Sequence, residues 1–210
     1  KVIELNPEFA QAHKDLGVIY LNQRLFDYAK DEFEKAIECN NDDYSIFFEY
    51  ANYLHATTEF AKADEYYEKA LEIQPLNPNV LAFSALNKIQ TKDFENAKIQ
   101  IDKALKMAND QSFLLFIAGK VRFLMKEYDE AKMFLVKSFE VSKNDECENL
   151  LGLCYFEMKD YEQALSIFKH LSEKCPLNIN VMLNAARCYM ELNQQTSAKE
   201  IAAKVLEILP

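Results

Sequence analysis

Three histidines (His13, His55, His170) and five cysteines (Cys39, Cys147, Cys154, Cys175, Cys188) are the side chains best suited to nucleophilic, acid–base or metal chemistry in this chain. No histidine stands in a His-Glu-x-x-His or similar zinc spacing, and no two cysteines form a Cys-x-x-Cys pair, so no metal site is expected. Spacing alone leaves one nucleophile–base candidate open, Cys175 with His170 five residues before it. Five thiols would leave one unpaired in any disulfide framework. Buried or half-buried thiols in a reducing compartment are the simpler reading, and a cytoplasmic location is expected. The acidic runs KDEFEK from Lys30 and DEYYEK from Asp64 read as solvated helix faces, where each i,i+4 pair contributes about 0.3 kcal/mol. With three glycines there is no Gly-x-x-x-x-Gly-Lys loop, Gly-x-Ser-x-Gly elbow or Gly-x-Gly-x-x-Gly turn. No catalytic residue and no cofactor are therefore expected, and the chain reads as a non-enzyme.

The elements that carry these residues follow from composition. Across 210 residues the chain is 50% hydrophobic and 28% charged, which suits a well-cored globular protein of one or two domains. Three glycines and five prolines are too few for hairpin turns or phosphate loops, and point to an all-α fold. A formal net charge of −10 argues against nucleic acid or an anionic membrane surface as the partner. No run approaches the roughly 18 apolar residues that span a bilayer.

A repeat organises the whole sequence. Ala29, Ala63, Ala97, Ala131, Ala164 and Ala198 recur at steps of 34, 34, 34, 33 and 34 residues, each inside a similar segment such as FDYAKDEFEKAIECNN from Phe26. A second small slot precedes each of them, at Gly17, Ala51, Ala85, Gly119, Gly152 and Ala186. All three glycines of the chain fall there, and a helical glycine costs about 1 kcal/mol against alanine. That placement predicts a crossing helix too close for a larger side chain. Pro7, Pro75, Pro176 and Pro210 are expected to close second helices, whereas Pro78 is expected to open one.

The residues LGVIY from Leu16 with AKDEFEKAI from Ala29, and LGLCY from Leu151 with ALSIFKHLSEKCP from Ala164, resemble the tetratricopeptide repeat (TPR) family. The resemblance covers essentially the whole chain. It implies a right-handed superhelical solenoid of antiparallel helix pairs, with six units at 10–43, 44–77, 78–111, 112–144, 145–178 and 179–210. Residues 1–9 read as the tail of a preceding repeat, and the chain as a single solenoid cut from a longer protein. Ser84, Lys88 and Arg122 occupy slots that the pattern fills with Leu or Tyr, so looser packing or charges snorkelling outward are expected there. The 33-residue step predicts a one-residue deletion in the loop around Ser142 to Asp145. At the end of the array Ile201, Val205, Leu206 or Leu209 would stand uncovered.

The family resemblance further implies a non-catalytic scaffold or adaptor that binds a peptide or helix in a concave groove lined by the first helices. Matched slots there hold Lys14, Phe48, Asn52, Phe83, Phe113, Phe116, Lys120, Asn149, Phe156, Asn184 and Arg187, together with Leu183 and Met190. A known mode of the family clamps the terminal carboxylate of heat-shock chaperones. Its pattern fails here, since Lys14 is followed by Val18, then Glu49, then Asn79 with Phe83. The groove phenylalanines, with Phe123, either form an exposed apolar patch or turn inward onto neighbouring repeats. Asn52, Asn149 and Asn184 are candidates for gripping a peptide backbone, and Lys120 and Arg187 for anchoring an acid. Two other readings stay open: an array that self-associates through its ends, or the substrate-recruiting part of a larger enzyme.

Overall fold

The computed structural model describes residues 6, 8–40 and 42–208. Among these residues the chain is all α-helix, and it divides into two compact units, Lys1–Ala108 and Asn109–Pro210. The first unit holds α1 (Ala10–Asn22), α2 (Phe26–Cys39), α3 (Tyr44–Ala56), α4 (Phe60–Ile73), α5 (Pro78–Gln90) and α6 (Phe94–Met107). The second holds α7 (Ser112–Leu124), α8 (Tyr128–Val141), α9 (Asp145–Glu157), α10 (Tyr161–Lys174), α11 (Ile179–Glu191) and α12 (Gln195–Ile208). In each unit the helices pack as consecutive antiparallel pairs, and the first helices of neighbouring pairs also touch (α1 with α3, α3 with α5; α7 with α9, α9 with α11). One face of each unit is thus built from first helices.

The turn inside each pair is made without glycine. Arg24, Thr58, Lys92, Lys126, Lys159 and Asn193 all adopt positive φ, between 58° and 65°, once per repeat. Their amides and those of the next residues bond back to the preceding helix, as in Lys159 N–H to Phe156 O at 2.9 Å and Asp160 N–H to Tyr155 O at 2.9 Å. This is a Schellman-type close in which each L-residue accepts roughly 1 kcal/mol of left-handed strain to satisfy two terminal carbonyls. Between pairs, helix starts are capped by side chains. Asn144 Oδ1 accepts from Glu146 and Cys147, Asn77 Oδ1 from Asn79 and Val80, and Asp43 from Ser45. Pro75 and Pro176 lie in turns just past α4 and α10, and Pro78 is the first residue of α5. Pro7, Pro210 and the tail at 1–5 lie outside the described residues.

The small slot packs as its spacing predicts. A Cβ on Gly17 would meet the Phe33 ring at 2.9 Å, one on Gly119 would meet Leu135 at 2.6 Å, and one on Gly152 the Phe168 ring at 2.8 Å. Phe33, Tyr67 and Phe168 are wholly buried behind these slots, each worth about 2 kcal/mol of apolar burial. The first unit's core is aromatic, with Phe33 between Tyr50 and Tyr53 and Tyr50 edge-on to Tyr66 at 4.7 Å. The second unit's core uses smaller groups, Leu135, Cys147, Leu151 and Cys154 in one cluster and Phe168, Val181, Ala185 and Cys188 in the next. The missing residue of the 33-step falls between α8 and α9, where three residues (142–144) connect helices that four connect at 74–77 and 175–178.

The odd slots depart from expectation. Lys88 and Arg122 do not snorkel outward; both are buried. Lys88 Nζ donates to both Asp64 carboxylate oxygens at 2.7 Å. Arg122 Nε reaches Glu130 at 3.0 Å, with its guanidinium carbon 4.4 Å from the Phe134 ring centroid. In each case a carboxylate on a neighbouring second helix offsets part of the cost of burying the charge. Ser84 is buried with its hydroxyl unpaired. At the other end of the array, Val205 is buried, Ile201 half-buried and Leu206 exposed, while Leu209 lies outside the described residues.

Candidate functional site

The nucleophile–base candidate is not assembled. His170 Nδ1 lies 2.7 Å from Glu148 Oε1 and lines a cleft with Lys169 and Glu173, whereas Cys175 lines a different cleft with Asp145 and Asn149. Among the described residues no hydrogen bond joins them. The other histidines also have structural partners, His13 with Glu32 at 2.6 Å and His55 with Asn87 at 2.9 Å. Burial pushes the Cys154 thiol up to about 12 and the Cys188 thiol up to about 11, so both are poor thiolates at neutral pH. Among the described residues no cluster of His, Cys, Asp and Glu could hold a metal ion.

The candidate groove residues lie on the first-helix faces, divided between the two units. In the first unit they are spent on the fold. Phe48 and Phe83 meet edge to face, ring centroids 5.4 Å apart, and both are packed against the aromatic core. Asn52 Oδ1 accepts from the buried Tyr67 hydroxyl at 2.8 Å, while its amide nitrogen donates to Glu49 at 3.2 Å. Burial pushes the Tyr67 phenol far up, so it remains a donor. Lys14 Nζ lies 3.5 Å from Ser45 Oγ and 3.4 Å from Asp15.

In the second unit the same face is more open. Phe116, Phe123 and Phe156 are half-buried and pack onto core clusters, while Phe113 is exposed. Inward packing therefore accounts for five of the six groove phenylalanines. Lys120 lies 5.5 Å from the Phe116 ring and 3.5 Å from Glu146. Asn184 is half-buried on α11. Exposed Arg187 places its guanidinium carbon 4.5 Å from the Phe156 ring centroid, a cation–π contact. On the same helix Leu183 and Met190 are 43% and 64% exposed, and i, i+4, i+7 spacing puts them in one stripe with Arg187.

A cleft of about 330 Å³ is lined by Asp145, Glu146 and Asn149 of α9, Cys175 and Asn178 of the α10–α11 loop and Asn180 at the start of α11. Asn149 Oδ1 is buried without a hydrogen-bond partner. Asn178 falls in the helix-capping slot of Asp43, Asn77 and Asn144 and accepts from Val181 N–H at 3.3 Å, and Asn180 falls in the slot of Asn79, Phe113 and Glu146. Glu148 was findable: it occupies the slot that holds Phe47, Leu81, Leu115 and Met182 in four other repeats and His13 in the first, and it is buried with one carboxylate oxygen unpartnered.

Comparison with known proteins adds the following. Tetratricopeptide repeat models match residues 44–75 and 155–210, and the model for anaphase-promoting complex, cyclosome, subunit 3 matches residues 90–171. The chain is 24% identical over 99% of its length to the BBSome complex member BBS4 of Bos taurus, spanning 40% of that protein. It is 25% identical over 80% of its length to anaphase-promoting complex subunit 3 of Schizosaccharomyces pombe, spanning 25% of that one. Pseudomonas aeruginosa pilF superposes with a TM-score of 0.82 at 20% identity, covering 96% of this chain and 92% of that one. Among the described residues no helix is long and apolar enough to cross a membrane.

Proposed function

Because the chain belongs to the tetratricopeptide-repeat family, a fold of protein–protein interaction scaffolds, we propose that it is a non-catalytic adaptor holding a partner segment on its first-helix face. The partner is a peptide or helix from another protein, as the family's chemistry favours. The relatives described as a BBSome complex member and an anaphase-promoting complex subunit support a place for the protein in a multi-subunit assembly. Free, scattered thiols support a reducing, cytoplasmic setting.

One observation carries the reading. Leu183 and Met190 are exposed on α11 around Arg187, whose guanidinium carbon lies 4.5 Å from the Phe156 ring centroid, and large apolar groups grouped around a cation are what a partner surface needs. Phe116 and Phe156 are poorer probes, since acids there would also damage the core onto which they pack. The test is affinity capture from the native lysate, comparing the wild-type chain with a Leu183→Glu, Met190→Glu variant and identifying bound proteins by mass spectrometry. A discrete set of proteins lost from the variant is expected. Identical lists would move binding off this face.

A further inference from the structure

His55 and Asn87 are polar residues in slots that are otherwise hydrophobic. His55 stands where the other first helices carry Leu21, Ile89, Phe123, Phe156 and Met190, and Asn87 where they carry Ile19, Tyr53, Val121, Cys154 and Cys188. Both lie inside the first unit, on α3 and α5, with a first helix packed on either side of α3. His55 Nδ1 is 2.9 Å from Asn87 Oδ1, and Asn87 Nδ2 donates to the Phe60 carbonyl at 2.8 Å. The second bond fixes which end of the amide is oxygen, since a carbonyl only accepts. Asn87 therefore presents an acceptor to His55, and Nδ1 carries the proton. In the neutral ring that leaves Nε2 as a bare acceptor. Among the described residues the side-chain atoms buried without a partner are Ser84 Oγ, Gln100 Oε1, Glu148 Oε2 and Asn149 Oδ1, and Nε2 of the half-buried His55 is not one of them.

We propose that the fold holds His55 as a hydrogen-bond acceptor on the first unit's face, where Nε2 takes the hydroxyl or amide N–H of a side chain on the bound segment. This rests on the reading above, a partner lying along the first helices, and adds what the first unit asks of that partner. Leu21 and Ile89 fill the same slot on the first helices to either side, so the acceptor stands in an apolar row. A segment that covered the row without a donor would leave the nitrogen dry and unbonded. Such a site rejects the analogue lacking the donor far more sharply than an apolar slot rejects one methylene. A metal ion is not the occupant, because among the described residues no cluster of His, Cys, Asp and Glu could hold one. Asn87, wholly buried, acts through His55 as a positioning residue.

Two measurements on the full chain test this. Nitrogen-15 NMR of histidine-labelled protein at neutral pH, with His55 assigned by the signals lost in His55→Phe, should show Nδ1 protonated and Nε2 bare; a proton on Nε2 overturns the inference. A phage-displayed library of random dodecapeptides is then panned against the chain, and the enriched peptides are synthesised. One position should carry a hydroxyl or amide side chain. Removing that donor at constant shape, with valine for threonine, phenylalanine for tyrosine or leucine for asparagine, should weaken binding about tenfold on wild type and less than about twofold on His55→Phe. The swap that matters tells a hydroxyl from an amide. His55→Phe leaves the Asn87 oxygen unanswered, so the double variant His55→Phe, Asn87→Cys is measured beside it. Its residue types are those of Phe123 with Cys154 and Phe156 with Cys188 in the matched slots, and a circular-dichroism melt close to wild type shows that it folds. If peptides bind, are lost in Leu183→Glu, Met190→Glu, and yet share no donor or bind both His55 variants as wild type, this inference is overturned while the reading above stands. If no peptide is enriched, or binding ignores all of these variants, both fall.

Discussion

Asn52 and Arg187 occupy the same slot of the repeat, in the first and second units, and do opposite things. Asn52 turns toward the second helix of its own repeat and closes a hydrogen bond on the Tyr67 hydroxyl. Arg187 turns toward the first helix of the preceding repeat, lies 4.5 Å from the Phe156 ring centroid and stays exposed. The first unit's face is thus tied to an aromatic core that has hydroxyls to satisfy. The second unit's core is built on Leu, Cys and Phe168 and makes no such demand on its face.

The comparison can be broken in three ways. The largest effect concerns what the units share, the close crossing at the small slot. Gly152→Leu drives its side chain into Phe168 and should cost about 3 kcal/mol by thermal melting; an unchanged melt would remove the close-packing argument. The next separates the two faces. Asn52→Ala leaves the buried Tyr67 hydroxyl without its acceptor and should cost about 2 kcal/mol, whereas Arg187→Ala should change stability by about 0.5 kcal/mol and act on binding. Equal losses of stability in the two variants would erase the distinction. The smallest sharpens the account of the second core. Glu148→Met restores the apolar type found in four other repeats and removes a carboxylate oxygen buried without a partner, so stability should rise by about 1 kcal/mol in urea titration. A loss instead would show that the His170–Glu148 contact outweighs burial.

Period and small slots were legible because each is a local or strictly repeated demand. An alanine every 34 residues can only be a packing position used again, and a helical glycine is costly unless something presses against it. The shortened connection at 142–144 was legible for the same reason, as a missing residue in an otherwise constant count. The left-handed turn was hidden, because Arg24, Thr58, Lys92, Lys126, Lys159 and Asn193 share no side-chain signature; the backbone bonds back to each helix hold them there.

The amino-acid sequence by itself determined an all-α repeat and the slots that face inward, since both follow from periodicity. Tertiary structure alone decided which slot residues stay available. Lys88 finds Asp64 24 positions away, Asn52 finds Tyr67 15 positions away, and Arg187 finds the ring of Phe156 rather than a carboxylate. A polar side chain's role is set by the nearest group that can satisfy it, and that neighbour is supplied by packing between helices, which spacing along one helix does not encode.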